Sequence, residues 1–218
     1  MGIIPEKEFE HIREHFSENL RDDVRLVVFT QELECEFCGE LKRLAEGVAS
    51  ASDKIKVEVY DFVRDAERAR EFGVERIPAV AVIGKRDYGI RFYGLPSGYE
   101  FTSLIEGIVD ASKGATQLSN PVKEKLQRVD APIHIQVFVT PTCPYCTRMV
   151  RLAHQFALES DFIRADMVEA TEFPQLAYEY GVMAVPKTII NEGVEVVGAM
   201  PEEQFIERVL SALKPATT

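Results

Sequence analysis

Two Cys-x-x-Cys motifs, each placed at the same distance from a later proline, constrain this chain more than any other feature. The motifs are Cys35–Cys38 and Cys143–Cys146, and they contain all four cysteines of the 218 residues. Their first cysteines lie 108 positions apart, and so do Pro78 and Pro186, each of which follows its motif's first cysteine by 43 positions. A motif and a distant proline repeated at one spacing indicate a duplicated module.

The sequence around the two prolines repeats as well. The segment 71–78, EFGVERIP, lies over 179–186, EYGVMAVP, with identical residues at the first, third, fourth and last positions. Further on the offset falls from 108 to 104, where Glu100 matches Gln204. Loops between strands tolerate such changes in length, so the difference indicates a hairpin of unequal length in the two units.

Runs of β-branched and apolar residues predict strands, and apolar residues at helical spacing predict helices. Each unit has the order β-α-β-α-β-β-α, and an extra amphipathic helix precedes each one, at about 6–20 and 121–129. The first unit is expected to contain strand 24–30, helix 38–49, strand 54–62, helix 65–72, strands 79–83 and 90–93, and helix 101–111. The second is expected to contain strand 133–139, helix 146–158, strand 162–167, helix 170–180, strands 187–191 and 194–197, and helix 202–213.

The length suits two domains of about 100 residues, each able to bury its own core. The most linker-like stretch is 115–120, ATQLSN. We therefore predict two domains, 1–116 with the first motif and 117–218 with the second.

The formal net charge of -11 disfavours nucleic acid and anionic membranes as partners, since both attract a basic surface. The first ten residues show no secretory signal, and no apolar run approaches the roughly 18 residues of a membrane span. We therefore expect a cytoplasmic protein. Cysteines in most cytosols are catalytic or metal-binding, with hyperthermophiles as the exception. Three asparagines and no tryptophan fit a heat-adapted protein.

The spacing of the cysteines suits thiol–disulfide exchange. A thiol attacks a disulfide as its thiolate, and the free N–H groups and the dipole at a helix start stabilise that anion. In each motif we expect the first cysteine, Cys35 or Cys143, to be the exposed nucleophile. The second, Cys38 or Cys146, lies one helical turn on and closes the disulfide that releases the substrate.

Pro78 and Pro186 each open a predicted strand. X-Pro bonds are cis far more often than other peptide bonds, and a proline is tolerated at a strand start. A cis bond would expose the backbone of the preceding residue, Ile77 or Val185, beside the cysteines. We expect an extended substrate peptide to pair with this backbone by strand addition. The alternative is an ordinary proline at a strand entry.

The residues inside the motifs make the two sites unequal. Glu36 and Phe37 separate the first pair of cysteines, and Pro144 and Tyr145 separate the second. Several further glutamates surround the first motif, whereas arginines follow the second. Negative charge disfavours a thiolate, so we expect these residues to make the first site the more reducing and the second the more oxidising.

A strand, a Cys-x-x-Cys at a helix start and a proline opening a later strand form the arrangement of the thioredoxin fold, and the Pro144-Tyr145 dipeptide resembles that of glutaredoxins. With two motifs, two prolines and an added helix before each unit, the chain resembles the protein disulfide oxidoreductases of hyperthermophiles over nearly its whole length. The resemblance implies an α/β protein of two tandem thioredoxin/glutaredoxin-like folds, each a four-stranded mixed sheet flanked by helices. It also implies an enzyme that exchanges disulfides with protein substrates, as reductase, oxidase or isomerase.

The same resemblance implies electron transport through redox-active disulfides, with no bound cofactor. Electrons would come from NADPH through a thioredoxin reductase-like flavoenzyme. Glu36-Phe37 departs from the usual dipeptides of the family, which leaves the activity of the first site open. Neither strand before a motif carries the buried aspartate that a thioredoxin uses as a proton acceptor.

Three alternatives remain open. One is a dedicated dithiol electron donor to a peroxiredoxin, as in the tandem-fold N-terminal domains of some alkyl hydroperoxide reductase flavoproteins. Another is a redox-inert binding or chaperone module on the same fold. The third is zinc held by four thiolates, which the spacing disfavours: zinc ribbons separate their cysteine pairs by about 15–20 residues, and here 104 intervene.

The unequal charge around the motifs leads to a first prediction. In the reduced protein, Cys143 should ionise at a lower pH than Cys35, because acids surround Cys35 and disfavour its thiolate. Alkylation rates measured against pH, with each cysteine resolved by mass spectrometry, test this order. Ionisation of Cys35 before Cys143 would reverse the ranking of the two sites.

Overall fold

The computed structural model of this protein describes residues 3–213, so the outer ends of the two predicted domains, 1–2 and 214–218, lie outside the described residues. The predicted order of elements occurs twice, each time with its extra helix in front. The first unit consists of α1 (Glu6–Asn19), β1 (Val24–Thr30), α2 (Cys38–Ala49), β2 (Ile55–Asp61), α3 (Ala66–Glu71), β3 (Ala79–Ile83), β4 (Asp87–Tyr93) and α4 (Tyr99–Lys113). The second consists of α5 (Asn120–Leu126), β5 (Ile133–Val139), α6 (Cys146–Glu159), β6 (Ile163–Glu169), α7 (Pro174–Glu179), β7 (Lys187–Ile190), β8 (Val194–Val197) and α8 (Glu202–Ser211).

The predicted helix 170–180 is the element that differs most, since α7 spans only Pro174–Glu179. The Glu169 carboxylate accepts hydrogen bonds from the Thr171 hydroxyl and the Glu172 backbone N–H, both at 2.7 Å. These bonds hold residues 170–173 as a loop. Pro174 then begins the helix, at the position where a proline costs least.

The eight strands form one sheet in the order β2-β1-β3-β4-β6-β5-β7-β8. Within the first unit β1 is parallel to β2 and antiparallel to β3, and β3 is antiparallel to β4; the second unit repeats this pattern. The units join where β4 pairs with β6 in parallel, from Ile90 opposite Ala165 to Tyr93 opposite Val168. The two four-stranded mixed sheets are therefore halves of a single sheet.

The strand directions bring both motifs to the same end of this sheet. Two antiparallel pairings through β3 make β4 parallel to β1, and β4, β6 and β5 are parallel in turn. Cys35 follows β1 and Cys143 follows β5, so both lie beyond the carboxyl ends of parallel strands. Three strands separate β1 from β5, which places these two strands roughly 19 Å apart at about 4.8 Å per spacing.

Helices cover both faces of the sheet because successive side chains of a strand point to opposite sides. Leu26 and Val28 contribute to the larger core, which also contains side chains of α1, α2, α4, α5, α6 and α8. Val27 and Phe29 contribute to the smaller core, which contains side chains of α3 and α7.

Charged side chains connect the two units at the β4–β6 junction. Arg164 donates to the Gly73 carbonyl at 2.6 Å and the Tyr93 hydroxyl at 2.9 Å, and pairs with Asp166 at 2.8 Å. Burial opposes ionisation of Asp166, but hydrogen bonds from His134 and Arg164 hold its pKa at about 2. Asp166 fixes the position of the Arg164 side chain within β6, and the bonds from Arg164 to Gly73 and Tyr93 hold the second unit against the first.

His154 of α6 is buried against β4 at the same junction. Its ring meets Phe92 edge-on with the centroids 4.8 Å apart, and its Nε2 lies 3.3 Å from the Arg91 carbonyl oxygen, to which it can donate. Burial lowers the pKa of His154 to about 4. The imidazole is therefore neutral in the folded protein at pH 7.

The neutral His154 should make the fold sensitive to acid. Its pKa in the unfolded chain is about 6.5, so unfolding takes up a proton below that pH, and His154 alone lowers the free energy of unfolding by about 3 kcal/mol between pH 6.5 and 4. Urea unfolding at pH 7, 5.5 and 4 should show a weaker pH dependence in His154→Gln than in the wild type. Parallel pH dependences in the two proteins would contradict this assignment.

Candidate active site

Each motif closes a disulfide between the end of a strand and the start of a helix. The Cα atoms lie 5.5 Å apart in Cys35–Cys38 and 5.4 Å apart in Cys143–Cys146, within the usual range. Helices α2 and α6 begin at the second cysteine of each motif, and no side chain of the described residues caps either one. The N–H groups of their first turns are therefore available to a thiolate.

The cysteines differ in exposure. Cys35 is partly exposed, but Cys143 is only 8% exposed, and the second cysteines, Cys38 and Cys146, are buried. The expectation of an exposed first cysteine is therefore wrong for Cys143. Its side chain belongs to the larger core together with Val139 and Cys146, so a substrate sulfur has a narrower approach at the second site.

The residues between the cysteines border the solvent. Glu36, Pro144 and Tyr145 are exposed, and Phe37 is half-buried. Their predicted influence on the two redox couples stays a prediction, to which the structure adds that three of the four side chains are accessible to a substrate.

Both prolines lie at the same end of the sheet as the disulfides. The Ile77–Pro78 and Val185–Pro186 peptide bonds are cis, in agreement with the sequence-based expectation. Pro78 precedes β3 and Pro186 precedes β7, and these strands pair with β1 and β5, which lead to the motifs. The carbonyl of Pro78 accepts a hydrogen bond from the N–H of Gly94, just after β4, at 2.9 Å. The carbonyl of Pro186 accepts one from the N–H of Gly198, just after β8, at 2.8 Å.

Exposed apolar side chains collect around the disulfides. A groove of about 600 Å³ beside the second site is lined by residues of α7 and of the loop before Pro186. Most of the exposed large apolar residues of the described chain lie in segments that come after strands, at the end of the sheet that carries the motifs. They are Leu33, Val63, Tyr99, Tyr145, Tyr178 and Met183. Exposed apolar surface of this kind marks sites of interaction with other polypeptides or ligands.

The start of α4, in the first unit, contacts the second motif and carries a buried carboxyl group. Glu100, in the first turn of α4, is 1% exposed and accepts a hydrogen bond from Ser103 at 2.8 Å, and burial raises its pKa to about 7. Its neighbour Tyr99 donates its N–H to the Pro141 carbonyl at 3.0 Å and accepts a hydrogen bond from the Thr147 hydroxyl at 3.2 Å. The start of α4 is thus hydrogen-bonded to Pro141, just before the second motif, and to Thr147, just after it.

Glu100 was not among the predicted site residues. In a thioredoxin the buried acid lies in the strand before the motif, and neither of these strands has one. The only signal for Glu100 in the sequence is that it replaces Gln204 of the repeat. Glu100 belongs to the first unit, so its position along the chain does not show that α4 begins beside the second motif.

Within residues 3–213, no group of three or more His, Cys, Asp or Glu side chains is arranged to hold a metal ion. The helices of that same part of the chain are all too short or too polar to cross a bilayer.

Two strands that each lead to a disulfide at a helix start, each with a cis-proline beside it, define a disulfide-exchange protein with tandem thioredoxin folds. The thioredoxin domain family matches residues 133–211. A protein disulfide oxidoreductase from Aeropyrum pernix is 35% identical in sequence to this chain. Its crystal structure matches this one with a TM-score of 0.90, and the match covers 95% of this chain and 93% of that one. The chain therefore belongs to the family of protein disulfide oxidoreductases with two tandem thioredoxin folds.

Two further relatives are an alkyl hydroperoxide reductase and an NADH dehydrogenase by name. The structure of the alkyl hydroperoxide reductase AhpF from Enterococcus faecalis is 25% identical, with a TM-score of 0.88, and the match covers 94% of this chain and 99% of that one. The NADH dehydrogenase of Bacillus subtilis is 24% identical over 170 residues, which are 78% of this chain. The chain spans only 31% of the length of that relative.

The buried Glu100 should make the fold less stable at neutral pH than at acid pH. Its pKa is about 7 in the folded protein and about 4.3 in the unfolded chain, so the free energy of unfolding falls as the pH rises from about 4.3 to 7. Glu100→Gln keeps an acceptor for Ser103 and should be more stable than the wild type by about 1–3 kcal/mol at pH 8. At pH 4.5 the two proteins should differ little. Equal stability at both pH values, measured by urea unfolding, would show that Glu100 is not held neutral.

Proposed function

We propose that this protein is an enzyme that exchanges dithiols and disulfides with protein substrates, through Cys35–Cys38 and Cys143–Cys146. The observation that carries the proposal is the repeated combination of a disulfide, a free helix start and a cis-proline, at one end of one sheet. Disulfide exchange accounts for all three features in both units.

In the reducing direction, the Cys143 thiolate attacks one sulfur of a substrate disulfide and the other substrate sulfur leaves as a thiolate. The Cys146 thiolate then attacks Cys143 in this mixed disulfide, which forms the protein disulfide and releases the second substrate thiol. The substrate gains two electrons and the protein loses two.

Protein substrates fit the surface better than small thiols do. The exposed apolar side chains around the motifs offer contact to an unfolded or extended polypeptide. We propose that the backbone of Ile77 and Val185, beside Pro78 and Pro186, pairs with that polypeptide as an added strand.

The reductant of the protein disulfides would be NADPH, acting through a thioredoxin reductase-like flavoenzyme in the cytoplasm. A peroxiredoxin is the second candidate client, which the likeness to the alkyl hydroperoxide reductase AhpF favours. The chemistry at the cysteines is the same for both clients. Rates of oxidation of the reduced protein by oxidised peroxiredoxin and by a disulfide-bonded polypeptide would rank them.

Insulin reduction in the presence of dithiothreitol tests the enzyme directly. Cys143→Ser should lower the rate at least about tenfold, because it removes the nucleophile of the second site. Cys35→Ser should lower it less, since acids disfavour the thiolate there. The variant with both substitutions sets the background rate of dithiothreitol. A Cys143→Ser protein as fast as the wild type would leave the redox-inert binding module as the better interpretation.

A further inference from the structure

The loop after β6, in the second unit, places a carboxyl group against the first unit. Oε1 of Glu172, a residue of the second unit, accepts the backbone N–H of Leu95 at 2.7 Å. Leu95 follows β4 of the first unit. The preceding Gly94 has a φ of +92°, and a Cβ there would lie 2.7 Å from the Glu169 Cβ and 3.1 Å from the Glu172 Cδ. Only glycine fits this close approach.

The other oxygen of Glu172 has no hydrogen-bond donor. Oε2 is buried without a partner among the described residues, and so is Oε1 of Glu169, a residue that is 2% exposed. A buried carboxylate oxygen without a donor disfavours the charged form of Glu172, and the negative charge of Glu169 disfavours it further. The arrangement therefore favours the protonated form of Glu172.

The charges around Glu172 include those of the first motif. Burial raises the pKa of Glu172 to about 7, the Leu95 N–H opposes the rise, and the negative charges of Glu169, Glu36 and Glu40 add to it. Glu36 stands between Cys35 and Cys38. Gly94, which lies close to the Glu172 carboxyl group, donates its N–H to the carbonyl of Pro78 at 2.9 Å, so Glu172 lies at the end of the sheet that carries the first motif. Coulomb interactions are mutual, so a charge on Glu172 that acts on Glu36 also acts on a thiolate in the same motif.

The charged groups that face this carboxyl group come from three elements. They are Glu169 at the end of β6, Glu36 in the first motif, and Glu40 in α2, which is paired with the exposed Arg43 at 3.8 Å. All but Arg43 are acids, so ionisation of Glu172 adds to a field that is already negative.

The repeat carries no acid at the position of the first unit that corresponds to Glu172. The position that matches Glu172 in the repeat is Arg64, which is exposed. Gly198, which matches Gly94, has no other described atom within 4 Å of where its Cβ would lie. The contact of Glu172 with the end of β4 therefore occurs only beside the first site, and the second unit supplies it.

We propose that Glu172 of the second unit is a tuning residue for the first disulfide: its carboxyl group sets how readily Cys35 ionises. Glu172 acts through its charge rather than by contact with the reacting sulfur atoms. While it holds its proton, the Cys35 thiolate forms more easily, and once it ionises the thiolate is suppressed. The inference concerns the site of the proposed disulfide exchange and rests on that function for its physiological meaning.

Glu172→Gln in the full-length chain tests the proposal, since glutamine keeps the acceptor for the Leu95 N–H and loses only the charge. The alkylation rate of each cysteine in the reduced protein is measured from pH 5.5 to 9.5 by mass spectrometry. At pH 8, where Glu172 is ionised in the wild type, the variant should alkylate Cys35 about two- to fivefold faster. At pH 5.5 the two proteins should agree, and Cys143 should be unchanged throughout. Glu124→Gln, which removes an exposed acid from α5, should behave as the wild type.

An unchanged Cys35 rate at pH 8, or an equal gain at Cys143 or in Glu124→Gln, would overturn the proposal. The wild type provides a test that needs no variant: its Cys35 profile should be broader than a single titration, and a single titration contradicts coupling. Insulin reduction by the same samples separates the two hypotheses. If the wild type reduces insulin but Glu172→Gln does not change the Cys35 rate, the tuning role is wrong and the exchange function stands. If Glu172→Gln changes the Cys35 rate but the wild type does not reduce insulin, the exchange function is wrong and the tuning role stands.

Discussion

The parallel pairing of β4 with β6 is the constraint on which the rest of this structure depends. It joins the open edge of one four-stranded sheet to the open edge of the other, so neither strand presents unpaired backbone groups to the solvent. Arg164 extends the contact beyond the backbone, because it donates to Gly73 and Tyr93 of the first unit while it neutralises Asp166. The relative placement of the units is thus specified by both hydrogen-bond register and buried charge.

This pairing decides where the chemistry lies. A parallel junction directs the carboxyl ends of β1 and β5 to the same end of the sheet, and both disulfides follow those ends. It also brings the start of α4 against the loop of the second motif, and the β6–α7 loop against the end of β4. Each unit contributes a carboxyl group with a pKa of about 7 near this junction: Glu172 accepts the Leu95 N–H of the other unit, and Glu100 follows Tyr99, which bonds to the loop of the second motif. In the tuning role proposed for Glu172, a proton on the second unit alters the charge near the sulfur atoms of the first.

The fold was largely predictable because it is encoded in local patterns that occur twice. Strands 24–30, 79–83 and 133–139 were predicted with the bounds they have, since buried β-branched runs between turn residues leave little choice. The cis-prolines were predictable from their repeated distance to the cysteines. The helix predicted at 170–180 was too long because its first residues have helical composition, and the side chain of Glu169 instead binds their backbone into a loop.

The sequence by itself determined two Cys-x-x-Cys modules, each with a proline at the same distance from its cysteines. Motif, spacing and strand pattern are properties of short stretches of chain, so they can be recognised without coordinates. Only the tertiary structure decided that the two sheets form one, that Cys143 is buried, that Glu100 is buried, and that Glu172 binds the backbone of the opposite unit. Those outcomes depend on contacts between residues far apart in the chain, and on the loss of solvent around them, which turns ordinary surface-type glutamates into groups that hold a proton near neutral pH.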